Sequence, residues 1–123
     1  MKLILAVGIG SFIGGILRFL ISDFVQTKSL SSFPYGTLAV NIIGCLVIGI
    51  VFALVETRIL STELKLFLGT GLIGGFTTYS AFSYETFILL RNGHIWQATV
   101  YVLLSILLGL AATTIGFLLF RNL

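Results

Sequence analysis

Four long apolar runs, separated by short polar connections, constrain this chain more than any single motif does. They cover about 3–21, 36–55, 64–90 and 95–120. Each holds about 20 residues or more, and at about 1.5 Å per residue that length crosses the hydrocarbon core of a bilayer. The 123 residues are 58% hydrophobic and only 9% charged. A soluble domain carries about 25% charged residues, and so few charges cannot cover a water-facing surface. An ordinary cytosolic domain, a disordered chain and a nucleic-acid module are thereby excluded. The expected fold class is an all-α membrane protein with four transmembrane helices in one domain, residues 1–123, both termini on the same side and no internal repeat. The net charge of +3, from seven basic and four acidic residues, belongs to loop ends and implies no nucleic-acid partner.

The first run is longer than the apolar core of a signal peptide, contains Arg18 and lacks a small-residue cleavage site after it. It reads as a retained helix. Asp23 to Phe33 reads as the first polar connection. Pro34-Tyr35-Gly36-Thr37 opens the second helix, because a proline's fixed φ and missing donor suit a first turn. Ser61 or Thr62 caps the third helix. Trp96 and Tyr101 are expected near the membrane interface that begins the fourth. Gly10-x-x-x-Gly14 permits close helix packing. The single cysteine, Cys45, is a small packing residue in an apolar run, and His94 stands alone without a second metal-ligand candidate.

The third run is unusual at its centre, Gly69-Thr70-Gly71-Leu72-Ile73-Gly74-Gly75-Phe76-Thr77-Thr78-Tyr79-Ser80-Ala81-Phe82-Ser83. Each glycine weakens a helix by about 1 kcal/mol relative to alanine. The hydroxyls that follow can take over backbone hydrogen bonds that a break frees. Irregular backbone at membrane depth is tolerated only against protein or a water-filled cavity. The expectation is therefore a helix broken mid-membrane near Gly74–Thr78, lining a polar site.

Charge placement bears on orientation. Lys2, Arg58, Lys65 and Arg121 fall on one side, Lys28 and Arg91 on the other with Arg18 towards it. Four against three is almost no bias. It permits insertion in both orientations, hence an antiparallel, dual-topology homodimer; a modest preference for the four-charge side being cytoplasmic fits the count as well.

Several side chains inside the runs carry possible chemistry. Asn41, with Thr37 four residues before it on the same face, is either interhelical glue or a donor to a solute. Tyr79 and Phe82 are three residues apart, as are Ser80 and Ser83, and Glu85 follows Phe82 at the same step. Such aromatics usually pack, but ring edges carry partial positive charge, and edges interleaved with hydroxyls can replace an anion's hydration shell. Arg18 and Glu85 are ionisable groups in or near the bilayer, functional candidates by default. Tyr101 and Ser105 continue a polar stripe on the fourth helix. Enzyme chemistry finds no support: no paired carboxylate, nucleophile–base set or phosphate loop is present, and Gly69-x-Gly71-x-x-Gly74 lacks the strand–turn–helix setting of a dinucleotide fingerprint.

Taken together, Gly10 to Arg18, Gly36-Thr37-x-x-x-Asn41 and Gly74-Gly75-Phe76-Thr77-Thr78-Tyr79-Ser80-x-Phe82-Ser83-x-Glu85 resemble the small bacterial fluoride channels known as Fluc or CrcB. The last motif is highly specific, and the resemblance covers essentially the whole chain. It implies an antiparallel homodimer in the bacterial inner membrane that passively exports fluoride through two pores. By the same resemblance, fluoride would meet Asn41, Tyr79, Phe82, Ser80, Ser83, Thr37, Glu85, Tyr101 and Ser105, with Arg18 at the aqueous vestibule. A structural sodium ion would sit at the dimer centre on backbone carbonyls of Gly74 and Thr77. One departure stands out: the family usually has phenylalanine where this chain has Tyr79. The competing reading is a small multidrug cation/proton antiporter, also four-helical, yet the first helix carries no acid before Asp23 and has Arg18 instead. A non-transporting membrane subunit would explain the glycines but not the clustered donors.

Overall fold

The computed structural model describes residues 1–122, and all its regular structure is helical: α1 (Lys2–Ser29), α2 (Tyr35–Glu56), α3 (Thr62–Lys65), a π-helical stretch (Leu66–Ile73), α4 (Gly74–Phe76), α5 (Tyr79–Arg91) and α6 (Ile95–Phe120). Three of these, α1, α2 and α6, are long and apolar enough to cross a membrane. The segments from α3 to α5 form a fourth, composite run. The architecture is that of an all-helical, multi-pass membrane protein.

The first helix is longer than its apolar run. It continues through Asp23 to Ser29, where a connection was expected. No proline or glycine interrupts this stretch, and Thr27 and Ser29 return their hydroxyls to carbonyls of the preceding turn (Thr27 Oγ1 to Asp23 O, 2.8 Å; Ser29 Oγ to Gln26 O, 2.8 Å). Polar composition there does not end the helix. Leu30 ends it in the left-handed region (φ 49°). Pro34 then serves as N-cap, with helix from Tyr35. Ser61 caps α3 as expected, its hydroxyl accepting from the Leu64 amide at 3.2 Å. α6 spans the range its apolar run predicts.

Small residues set the packing. Gly10 and Gly14 bring α1 against the backbone of the composite run: a β-carbon on Gly10 would lie 2.6 Å from the Phe67 carbonyl oxygen, and one on Gly14 would collide with the Leu72 carbonyl. Gly49 and Gly116 do the same between α2 and α6, against the Thr113 and Leu46 carbonyls. Lipid tails are as apolar as leucine, so burial alone drives little association here; close backbone approach supplies it. The π-helical stretch was not expected from the residues. Its glycines Gly69 and Gly71, with no side chains to crowd, suit the wider turn, and such widening recurs at functional sites.

Candidate functional site

The site is built on the residues between α4 and α5. Thr77 (φ −82°, ψ 156°) and Thr78 (φ −148°, ψ 118°) are extended, while Gly74–Phe76 before them are helical. The interruption therefore falls just after the glycine pair, not on it. Of the pair, Gly75 serves close approach: a β-carbon there would lie 2.5 Å from the Ser11 carbonyl oxygen, whereas one on Gly74 would meet only the Gly69 carbonyl oxygen at an ordinary 3.8 Å. Gly44 on α2 makes room for the Thr77 methyl, which a β-carbon there would strike.

Asn41 clamps the interruption from the neighbouring helix. Its Oδ1 accepts from the Thr78 amide at 2.8 Å, and its Nδ2 donates to the Thr78 carbonyl at 3.0 Å. Thr78 in turn caps α5, its hydroxyl accepting from the Ala81 amide at 3.2 Å. These two bonds have a consequence for Gly74 and Thr77. In a continuous helix the Thr78 amide would bond the Gly74 carbonyl and the Ala81 amide the Thr77 carbonyl. Both amides are diverted, so both carbonyls lose their helical donors. The two positions the family resemblance assigns to sodium are the two carbonyls that these diversions release, and a set of neutral oxygens is a donor set that suits a hard cation.

A cavity of about 480 Å3 opens beside the interruption, lined by Asn41, Cys45, Gly74, Thr77, Thr78, Tyr79, Phe82 and Ser105 among others. One Nδ2 hydrogen of Asn41 is used on Thr78, and the amide has a second. Ser105 Oγ is buried without a partner. Tyr79 and Phe82 rings stand 5.7 Å apart at 42°. Tyr79 is 80% exposed on this single chain.

A second polar group lies next to the cavity. Glu85 accepts from Thr37 Oγ1 at 2.6 Å and from the Tyr101 hydroxyl at 2.7 Å, tying α2, α5 and α6 together. Tyr101 is fully buried within the protein. Its ring packs against Phe82 (5.1 Å) and Phe33 (5.6 Å, edge-on). The hydroxyl cannot be left dry in the core, and Glu85 supplies the acceptor. Trp96, by contrast, is exposed.

The structure thus brings together Asn41, Tyr79, Phe82, Ser105, Gly74 and Thr77 at one cavity, and Thr37, Glu85 and Tyr101 in one network beside it. Ser80 hydrogen-bonds Thr78 (Oγ to Oγ1, 3.2 Å) and is exposed, as is Ser83. Arg18 sits half-buried on α1 and does not line the cavity. Two participants escaped the reading of the residues. Thr78 is the pivot of the clamp; its signal was its N-cap position three residues before Ala81. Gln26 fixes the α1–α2 connection, donating to the Ser31 and Phe33 carbonyls (2.8 and 3.1 Å) and accepting from the Gly36 amide at 3.0 Å. That holds Phe33 over Tyr101. Gln26 has no sequence signal beyond being polar in a stretch that reads as loop.

Fold and site define a class: a small multi-pass helical membrane protein with an amide- and hydroxyl-lined cavity at a helix interruption. The chain belongs to the CrcB family, since the pattern described as CrcB-like protein, Camphor Resistance (CrcB), matches residues 5–117. It is 43% identical over 124 residues, all of both chains, to the "Fluoride-specific ion channel FluC" of Geobacter sulfurreducens. It is 44% identical to the protein of the same name from Parabacteroides distasonis, covering 93% of this chain and 89% of that one. The corresponding protein of Clostridium novyi is 46% identical, covering 94% and 92%.

Proposed function

We propose that the protein is a fluoride-specific ion channel that passively exports fluoride through a bacterial inner membrane, lowering its cytoplasmic concentration. It is not an enzyme. The observation that carries this reading is the cavity at Thr77–Thr78, where neutral donors from Asn41 and Ser105 converge with the Phe82 and Tyr79 rings. Fluoride is small and strongly hydrated, so a pore must replace its water with several donors. Neutral amides, hydroxyls and ring edges do so without the tight grip of a ring of lysine or arginine, and conduction needs sites weak enough to leave. The antiporter alternative needs a proton-exchanging acid; the carboxylate next to the cavity is Glu85, and both its oxygens already accept hydroxyl bonds. Fluoride efflux from liposomes holding the purified chain, followed with a fluoride electrode, tests the reading. Fluoride release well above empty liposomes with chloride retained is expected; chloride release at the same rate, or none of either, refutes it.

The functional unit in this proposal is an antiparallel homodimer whose third, composite run breaks at membrane depth. Ser80, Ser83 and Tyr79 are exposed on α5 of the single chain. Hydroxyls at membrane depth are costly against lipid, and a second copy covers them. The even charge count of the two sides supports opposite insertion. Single-cysteine variants at one terminus, labelled in intact cells with an impermeant reagent, should be modified from both faces; labelling from one face alone sinks dual topology. A structural sodium ion, shared between the copies on the freed Gly74 and Thr77 carbonyls, would tie the two interruptions together and partly offset the anion's charge.

Tyr79 and Phe82 are expected to differ in tolerance. Tyr79→Phe keeps the ring edge and should conduct like wild type. Phe82→Ile keeps much of the bulk but removes the edge, worth about 0.5–1.5 kcal/mol on the scale of aromatic pairs. At about 1.4 kcal/mol per decade that is roughly a two- to tenfold loss of efflux. An inactive yet assembled Tyr79→Phe would show that the hydroxyl is the ligand, and a fully active Phe82→Ile that Phe82 only packs.

A further inference from the structure

We propose that Gln97 is a further contact for the permeating anion, standing between the Glu85 network and the membrane surface where α6 begins. This rests on the channel reading above. Gln97, Tyr101 and Ser105 follow one another at four-residue steps on α6, so they share one side of that helix. Ser105 lines the cavity together with Phe82. Phe82 packs on Tyr101, whose hydroxyl donates to Glu85. A polar stripe therefore leads from the cavity, past Glu85, to Gln97 in the first turn of α6. At about 1.5 Å per residue it is about 12 Å long.

Among the described residues, the buried side-chain polar atoms without a partner are Gln97 Oε1 and Ser105 Oγ. They flank the network at its two ends, while Thr37, Glu85 and Tyr101 between them are mutually satisfied. An unpartnered buried amide is costly, and native folds retain one where something other than the fold uses it. A glutamine amide turns over about its last torsion, exchanging oxygen for an NH2 group in the same place. So turned, Gln97 presents an N–H in place of its unpartnered oxygen. A neutral donor also suits a position one turn from Tyr101, the residue that bonds Glu85. An anion passing a carboxylate needs donors close by, and a fixed positive charge would pair with Glu85 and close the way.

Three variants of the full chain in liposomes test this, with assembly followed by size-exclusion chromatography and stability by thermal denaturation. Absence of fluoride efflux from the wild type would sink the channel reading itself, so the two failures are distinguishable. With the wild type conducting, Gln97→Met, of similar length but apolar, should keep its elution profile and Tm and lose about tenfold in efflux, the scale of one hydrogen bond to a charged group. Gln97→Glu should lose more, since it sets a negative charge in an anion path. A purely packing role gives the opposite result for Gln97→Met: equal or higher Tm with wild-type efflux, which overturns the proposal. Should Gln97→Met not assemble, Gln97→Ala decides, with loss of efflux from an intact assembly supporting the contact and wild-type efflux overturning it.

Discussion

Asn41→Asp will reduce fluoride efflux by at least about a hundredfold, the largest single-residue effect expected at this site. Two consequences of the substitution act together. The aspartate keeps the oxygen that accepts from the Thr78 amide, but it has no hydrogen to donate to the Thr78 carbonyl. It also places an oxygen-only, negatively charged group at the wall of a cavity through which an anion passes. Charge at membrane depth costs about 2.5–3.5 kcal/mol even on permissive scales. Repulsion of that order alone corresponds to roughly 60- to 300-fold, at about 1.4 kcal/mol per decade, and the lost bond adds to it. Asn41→Ala separates the parts. It removes the clamp without adding charge, at about 1 kcal/mol for each lost bond. It should lower the Tm and the efflux together, whereas Asn41→Asp should lose efflux beyond what its Tm explains. Wild-type efflux from Asn41→Asp, measured with a fluoride electrode on assembled protein, would falsify the pore role of Asn41.

Gly75→Leu will abolish efflux through the fold, and Thr77→Val will not. A β-carbon on Gly75 would lie 2.5 Å from the Ser11 carbonyl oxygen and 2.8 Å from Ser11 Cα, both backbone atoms of α1. Neither can swing aside as a side chain would, so α1 and α4 must separate. Overpacking of a tight core typically costs about 1–3 kcal/mol, and displaced backbone adds to it. The helix junction next to Thr77 and Thr78 would move with α4, and the Asn41 clamp with it. Size-exclusion chromatography should show loss of assembled protein, and no efflux should survive. At Thr77 the proposed sodium ligand is the backbone carbonyl. The side-chain hydroxyl only donates back to the Ile73 carbonyl at 3.0 Å, within its own helix. Valine preserves the methyl that fills the space at Gly44. Thr77→Val should therefore assemble and conduct within about threefold of wild type, the scale of one weak back-bond. If Thr77→Val silences the protein while remaining assembled, the hydroxyl has a role that carbonyl ligation does not supply.

The sequence by itself determined the class of fold. Apolar length fixed α2 and α6 to within a residue or two, because a span in hydrocarbon must satisfy its own backbone and helix is the direct way to do so. Glycines followed by hydroxyls pointed to the stretch in which Thr77 and Thr78 are extended, since both signals are local. Ser61 was readable as a cap for the same reason. Which faces meet was not readable. A membrane helix is apolar towards lipid and towards protein alike, so the periodicity that reveals the core side of a soluble helix is faint here. Tertiary structure alone decided that Tyr101 is buried and bonded, because its partner Glu85 is sixteen residues away on another helix. It likewise decided that Asn41 holds the Thr78 backbone 37 residues on. The same clamp diverts the amide that would bond the Gly74 carbonyl, and the Thr78 cap diverts the one that would bond the Thr77 carbonyl. Hydrogen bonds between elements are fixed by how helices cross, and the crossing is set by where glycines let backbones touch.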